Sequence, residues 1–370
     1  MSQLLLGLAK LMPPPPAPAA REYDGLEYRW KALVFRPAAF KFEAVALGLI
    51  GAYLLVYFLG KTFNTSRAKS TFAPFQSFLA TQFSNTRDLV SSGPTLHLLY
   101  STGRRNVLFL HSTLNLLPFH DVAGLVTHFG KMIIEPTYDG AEQITFDLTL
   151  GKGEEGKQGE GLGVWAVVDK GVMRNVREQR WDLTFPRLHE SSTVPITHSL
   201  FAEHSDVTDV LLKNANVGIT ELLNNAKAAG VLKYLLITDV PSRRPVRGPL
   251  PAKFRSRHII LSVSKPSNSA EVDAVKAWLQ VALNIADLVA RPNLLKPDVT
   301  RKLAATRKTV DADLTASYNK EVAEDAPPAE TAEEKRLAKK KAERATMSEK
   351  ELKRLDELEK KRELRKLQKK

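Results

Sequence analysis

Phosphate chemistry is the first possibility that residue types and spacing raise. Gly151-Lys152-Gly153-Glu154-Glu155-Gly156-Lys157-Gln158 misses the pattern G-x-x-x-x-G-K-[ST] by its last residue. A P-loop works because a glycine turn delivers phosphate to a helix N-terminus, while the Ser or Thr hydroxyl binds Mg²⁺. Gln158 has no hydroxyl, and Glu154, Glu155 and Glu160 place carboxylates where phosphate oxygens would sit. The run after Gly163, "VWAVV", has β character rather than helical character. The stretch is expected to be the acidic, mobile tip of a hairpin.

Other catalytic patterns are equally sparse. His111, His120 and His128 are spaced by nine and eight residues, which matches no common zinc pattern. His198 and His204 share a polar segment with Glu203 and Asp206, where capping of loops and helix starts outweighs a metal site. No serine sits in a nucleophile elbow, and no carboxylate pair has a distinctive spacing. The chain has no cysteine, which removes disulfides, thiol catalysis, zinc fingers and iron–sulfur clusters and suits a domain facing a reducing cytosol. The sequence therefore predicts a protein that is not an enzyme and has no catalytic residue, cofactor or metal.

Binding chemistry is better represented. Pro241 to Arg257 carries Arg243, Arg244, Arg247, Lys253, Arg255 and Arg257 with no acidic residue, between two strand-like runs. It is either a solvated loop or a contact for phosphate, from RNA or lipid headgroups, because clustered arginines supply bidentate donors. A second basic region closes the chain. Glu333–Lys370 holds sixteen basic against nine acidic residues, roughly half of the net charge of +13. It is rich in strong helix formers and in i,i+4 pairs such as Glu349–Lys353 and Glu357–Lys361. Its leucines keep no strict heptad, so a long solvated basic helix is expected, with Lys360, Lys361, Arg362, Arg365 and Lys366 available to an RNA backbone or a headgroup.

These basic regions need elements to position them. Ala44 to Leu59 is uncharged, bounded by Lys41 and Glu43 before and Lys61 after, with phenylalanines at 40, 42 and 63 extending it at both interfaces. A transmembrane helix is expected over 42–60. Arg29, Lys31, Arg36 and Lys41 precede it and Lys61, Arg67 and Lys69 follow, so charge sets no orientation. Pro13–Pro16 stops any helix in the preceding segment, and residues 1–41 are expected to form a short, flexible, Pro-rich segment.

Residues 70–300 alternate strand-like and helix-like runs. Strand pairs are predicted at "TLHLLYSTG" with "RRNVLFLHSTL", at "EQITFDLTL" with "GVWAVVDK", and at "VLKYLLITDV" with "HIILSVSK". Helices are expected at "FAPFQSFLATQF", "VMRNVREQRW", "VTDVLLKN" and "ITELLNNAKAAG". Val122, Leu125, Val126, Phe129 and Ile133 form one helix face, and Val272, Val275, Trp278, Leu279, Ala282, Ile285 and Val289 form a core-facing stripe on another. The expected class is α+β: a single N-terminal transmembrane helix, an α+β domain with a largely antiparallel sheet over 70–300, and a linker with a basic helical tail over 301–370.

The order of these parts, with "LGKTFNTSRAKSTF" after the span and "YSTGRRNVLFLHSTLNLLPFHDVAGLVTHFGKMI" following, resembles the calumin-type coiled-coil-domain proteins of the endoplasmic reticulum. The resemblance rests on Gly60, Lys61, Asn64, Arg67 and Ala68, and on Tyr100, Gly103 and Arg104, and extends from about Phe42 to the C-terminus. That family supplies a subunit of an intramembrane chaperone complex that acts with the translocon on multipass membrane proteins. The resemblance implies a lumenal N-terminus, a cytosolic globular domain and a basic tail near the ribosome. Its implied partners are translocon, ribosomal RNA backbone, a small membrane-protein subunit, nascent multipass proteins and membrane lipids. Animal members carry a long acidic lumenal region linked to calcium, whereas residues 1–41 here are mostly neutral or basic. The expected function is a non-enzymatic, single-pass adaptor or chaperone subunit of the endoplasmic reticulum membrane. The alternative is a membrane-tethered lipid-surface or calcium-homeostasis protein.

Overall fold

The computed structural model describes residues 25–30, 33–135, 137–151, 162–251, 255–291 and 294–325, together with residues 354, 357, 358, 360 and 361. A short hairpin of β1 (Tyr28–Trp30) and β2 (Leu33–Phe35) leads through a 3-10 turn into helix α1 (Lys41–Gln82). Then come β3 (Asn85–Thr86), β4 (Val90–Ser91), β5 (Leu96–Arg104), β6 (Val107–Asn115), α2 (Val122–Ile134), β7 (Gln143–Leu150) and β8 (Trp165–Asp169). The next elements are α3 (Met173–Gln179), β9 (Arg187–His189), β10 (His198–Ala202), α4 (Ser205–Leu212), α5 (Ile219–Asn224) and α6 (Ala226–Val231). Strands β11 (Leu232–Thr238) and β12 (His258–Ser264) precede helices α7 (Ser269–Val289) and α8 (Pro297–Asp325).

Helix α1 runs 42 residues without a break, joining the expected span to the expected "FAPFQSFLATQF" helix. Its composition changes partway. The stretch up to Leu59 is apolar and almost wholly exposed, whereas Gly60, Asn64, Ala68, Phe72, Phe75 and Leu79 are buried. Those six positions recur every three or four residues, which draws one stripe along the helix. A helix that is apolar all round in its first half and striped in its second meets two different surroundings.

The main sheet is antiparallel throughout, in the order β3-β5-β6-β7-β12-β11-β8-β10-β9, with β4 also on β5. Two of the expected strand pairs form: Leu99 faces Ser112 across β5 and β6, and Leu235 faces Leu261 across β11 and β12. The third does not. Strand β7 lies between β6 and β12, and β8 lies between β11 and β10, so β12 and β11 separate them. The glycine-rich stretch is therefore the connection between non-neighbouring strands and not a hairpin tip, and its residues 152–161 lie outside the described residues. Strand β8 is a near-continuous apolar run, as a strand buried on both faces requires, whereas β7 alternates Ile144, Phe146 and Leu148 with polar residues; neither pattern says which partner the strand takes.

The C-terminal half of α1 and helix α7 pack on one face of the sheet, with Phe72, Phe75, Phe146, Trp165 and Trp278 in one core. Trp278 Nε1 also donates to the Ala228 carbonyl at 2.8 Å, satisfying its polar atom inside that core. On the opposite face of β8, β10 and β11, Val164, Ala166, Val168, Phe201 and Leu236 form a second core with Val176 of α3. Strand β10 was not anticipated: the segment around His198 looked polar, yet His198–Ala202 is a buried strand paired with β8.

The chain divides into a larger unit, residues 1–244 and 250–306, and a smaller one, residues 245–249 and 307–370. Helix α8 runs through position 301, where a linker was expected, and continues to Asp325. In the C-terminal tail, Arg354, Glu357, Leu358, Lys360 and Lys361 are helical and exposed.

Candidate functional site

The first site is the place where α1 leaves its exposed apolar half and enters the domain. Gly60 makes this junction possible: a Cβ there would stand 2.4 Å from the Phe119 carbonyl oxygen and 2.5 Å from His120. Only a residue without a side chain lets the 119–121 backbone lie against the helix at this distance. One turn on, buried Asn64 donates from Nδ2 to the Pro94 carbonyl at 3.0 Å and the Leu117 carbonyl at 2.8 Å. A further turn on, Arg67 grips Glu142 through both nitrogens, Nη1 to Oε1 at 2.8 Å and Nη2 to Oε2 at 2.6 Å. The same guanidinium lies 5.5 Å from the Phe63 ring centre and 5.3 Å from that of Phe119. Ala68 is fully buried.

Glu142 is the hub of this junction, and the sequence offered no reason to single it out. Besides Arg67, it accepts the Leu117 backbone N–H at 3.1 Å and lies 3.4 Å from Lys265 Nζ. Burial by itself would raise its pKa, but Arg67, the Leu117 amide and Lys265 together hold it below the usual carboxylate value. Towards the exposed half of α1, Tyr57 makes an edge contact with His120 at 5.6 Å, and Tyr53 Oη donates to Asp121 Oδ1 at 3.2 Å. Val56, Leu59, Gly60, Thr62, Phe63 and Phe119 line a shallow, mostly apolar groove of about 610 Å³ there.

Two further residues that carried the sequence resemblance, Arg104 and Gly103, lie at the other end of α1. Arg104 reaches Gln82 Oε1 at 2.5 Å and Asp287 Oδ2 on α7 at 2.7 Å. Gly103, at φ +91°, bends the β5 terminus where a Cβ would strike Ser84. Tyr100 stacks with Phe109 and His111 on the outer sheet face. Asn64 and Arg67 at one point and Arg104 at another fix a long helix to the sheet domain.

The histidines disperse. His111 joins the Tyr100 ring, His120 meets Tyr57, and His128 Nδ1 lies 2.9 Å from the Tyr138 hydroxyl. His204 Nδ1 accepts the Asp206 amide at 3.3 Å and caps α4, the role its surroundings suggested. Among the described residues no group of His, Asp or Glu is placed to hold a metal ion.

The arginine-rich loop separates into two kinds of residue. Arg243 and Arg244 in the larger unit, and Arg247 in the smaller, are exposed. Arg247 precedes Gly248, a left-handed turn at φ +80° packed beside Tyr318 of α8. Arg255 and Arg257 instead fold back: Arg255 Nε donates to the Leu250 carbonyl at 2.9 Å, and Arg257 Nη2 donates to the Gly151 carbonyl at 2.7 Å. Burial lowers the Arg257 pKa, and Asp239 opposes that shift. Arg255 braces its own loop, and Arg257 ties the loop to the end of β7. Lys253 of the loop lies outside the described residues, as do Arg362, Arg365 and Lys366 of the tail, whereas Lys360 and Lys361 are exposed.

Comparison with known proteins agrees with this architecture. The chain is 28% identical over 289 residues to an endoplasmic reticulum membrane protein of Schizosaccharomyces pombe, covering 73% of each chain. α1 is the one helix among the described residues that is long and apolar enough to cross a membrane, and its apolar window is unburied. The protein is associated with the endoplasmic reticulum membrane. The family model of PAT complex subunit CCDC47 matches residues 39–366, and the chain belongs to that family.

Proposed function

We propose that this protein is a non-enzymatic, single-pass subunit of an endoplasmic reticulum membrane complex, acting as a ribosome- and translocon-associated adaptor or chaperone in multipass membrane protein biogenesis. One observation carries the reading. A single helix is exposed and apolar through its first half, and its second half is built into the core of a non-catalytic domain. A domain fastened to its anchor by Asn64, Arg67 and Glu142 cannot swing freely, so it holds a fixed position at the membrane surface.

In this reading residues 1–41 are lumenal and the globular domain is cytosolic. Exposed Tyr28, Trp30, Phe35 and Phe40 supply an aromatic collar at the lumenal end of the span. Arg243, Arg244, Arg247, Lys360 and Lys361 offer cations to the ribosomal RNA backbone, a contact that weakens with salt. The groove at Val56, Leu59 and Phe63 accommodates a small membrane-protein subunit, with nascent multipass proteins and lipids as neighbours.

The test is co-sedimentation of the full chain with ribosomes at physiological salt. Deleting Glu333–Lys370 is expected to lower binding by about tenfold or more, since several phosphate contacts are lost together. Undiminished binding would remove the tail's role. Charge reversal of Arg243, Arg244 and Arg247 that weakens liposome flotation and leaves ribosome binding intact would favour the lipid-surface alternative.

A further inference from the structure

Helix α2 is amphipathic and faces the wrong way for a water-soluble domain. Val122, Val126, Phe129 and Ile133 follow one another at steps of four, three and four residues, which places them on one face. All four are exposed, Ile133 at 84%, and no residue of the helix is buried. Away from that stripe, the half-buried His128 lies 2.9 Å from the Tyr138 hydroxyl and packs beside Gly140 with Met132, while exposed Lys131 stands 5.9 Å from the Tyr138 ring. A continuous apolar stripe directed outward costs free energy in water and is the arrangement of a helix solvated by lipid.

The position of α2 specifies the occupant. Residues 119–121 run down α1 from Gly60 past Tyr57 to Tyr53. Tyr53 stands about 12 Å along the helix from Lys61 at 1.5 Å per residue. The N-terminus of α2 therefore starts beside the apolar half of α1. With 13 residues the helix is about 20 Å long, too short for a hydrocarbon core of about 30 Å, so it cannot be a second crossing.

We infer that α2 is a second membrane element: an in-plane helix whose Val122, Val126, Phe129 and Ile133 face lies in the acyl–headgroup region of the leaflet on the domain's side of the span. The inference rests on the reading that α1 crosses the membrane. It makes the protein's membrane contact a helix and an adjacent plank rather than a single post. Together these restrain rotation of the domain about α1 and perturb one leaflet locally.

The natural absence of cysteine makes the test direct. Ile133→Cys, Lys131→Cys and Leu49→Cys full-length variants, each carrying a polarity-sensitive fluorophore, are reconstituted into phosphatidylcholine–phosphatidylserine vesicles with or without nitroxide-labelled phosphatidylcholine. The label at Ile133 should be quenched by nitroxide lipid at least about twofold more than the label at Lys131, as in-plane insertion requires. The Leu49 label reports the span. Quenching at Leu49 with equal, weak quenching at Ile133 and Lys131 overturns the inference and leaves the span in place. A label at Ile133 shielded from water, insensitive to nitroxide lipid and dependent on protein concentration also overturns it, with a second copy as the occupant. No quenching at Leu49 overturns the span and the inference together.

Discussion

Helices α2 and α7 carry the same kind of apolar stripe and use it in opposite ways. In α7, Val275, Trp278, Leu279, Ala282 and Ile285 are fully buried against the sheet. In α2, Val122, Val126, Phe129 and Ile133 are exposed, and the helix starts beside the apolar half of α1. Periodicity states that a helix has an apolar face; it does not state whether protein or lipid will cover it. The difference lies in what precedes each helix. Helix α7 follows β12 and returns over the sheet, whereas α2 is delivered by the 117–121 segment, which Asn64, Gly60 and Glu142 clamp against α1.

This contrast can be broken from the α7 side with the largest effect. Trp278→Ala removes a fully buried indole and its hydrogen bond to Ala228, and should cost about 3–5 kcal/mol. Denaturant titration of the detergent-solubilised chain measures it. A loss below about 1 kcal/mol would mean that the α7 face does not support the core as described.

Gly60→Val is next, because its Cβ would stand 2.4 Å from a backbone oxygen. The helix and the 119–121 segment must separate, at a cost of about 2–3 kcal/mol. An α2 label should lose its membrane-dependent signal in the same variant, while Gly60→Val keeps the α7 core intact by near-ultraviolet circular dichroism.

Glu142→Gln is expected to cost about 2 kcal/mol by weakening charged hydrogen bonds to Arg67 and Leu117. Its pH dependence has a definite sign. The folded-state pKa is depressed, so the stabilisation is fully present above the ordinary carboxyl value of 4.5 and is lost as pH falls through the lower folded value. Denaturation midpoints measured across that acidic window should fall less steeply in Glu142→Gln than in the parent chain. Equal slopes would contradict the depressed pKa.

The smallest effect sharpens the comparison most. Ile133→Ala, on a helix with nothing buried, should change stability in micelles by under about 0.5 kcal/mol. A loss as large as that from Trp278→Ala would show α2 to be a core helix after all.

Much of the fold was legible because it rests on local patterns. The uncharged run from Ala44 to Leu59, the α7 stripe, and the β5–β6 and β11–β12 pairs all announce themselves through composition or period. The separation of β7 from β8 did not, because neither the alternation along β7 nor the apolar run of β8 records which strand lies beside it. Arg257 and Arg243 are indistinguishable as letters, yet one is tied to the Gly151 carbonyl and the other is exposed. Glu142, the hub of the anchor junction, is one carboxylate among many until Arg67 and Leu117 meet it across the fold.

The sequence by itself determined that this chain has a long apolar helix, an α+β body and basic regions at Pro241–Arg257 and in the tail. Those properties depend on residue type and spacing over one element, which a local reading captures. Only the tertiary structure decided that the apolar run is continuous with the core through one helix, that the strands flanking the glycine-rich stretch are not partners, and that the stripe on α2 looks outward. Each of these is set by contacts between residues distant in the chain, and the free energy of burial depends on which surfaces meet rather than on which residues are apolar.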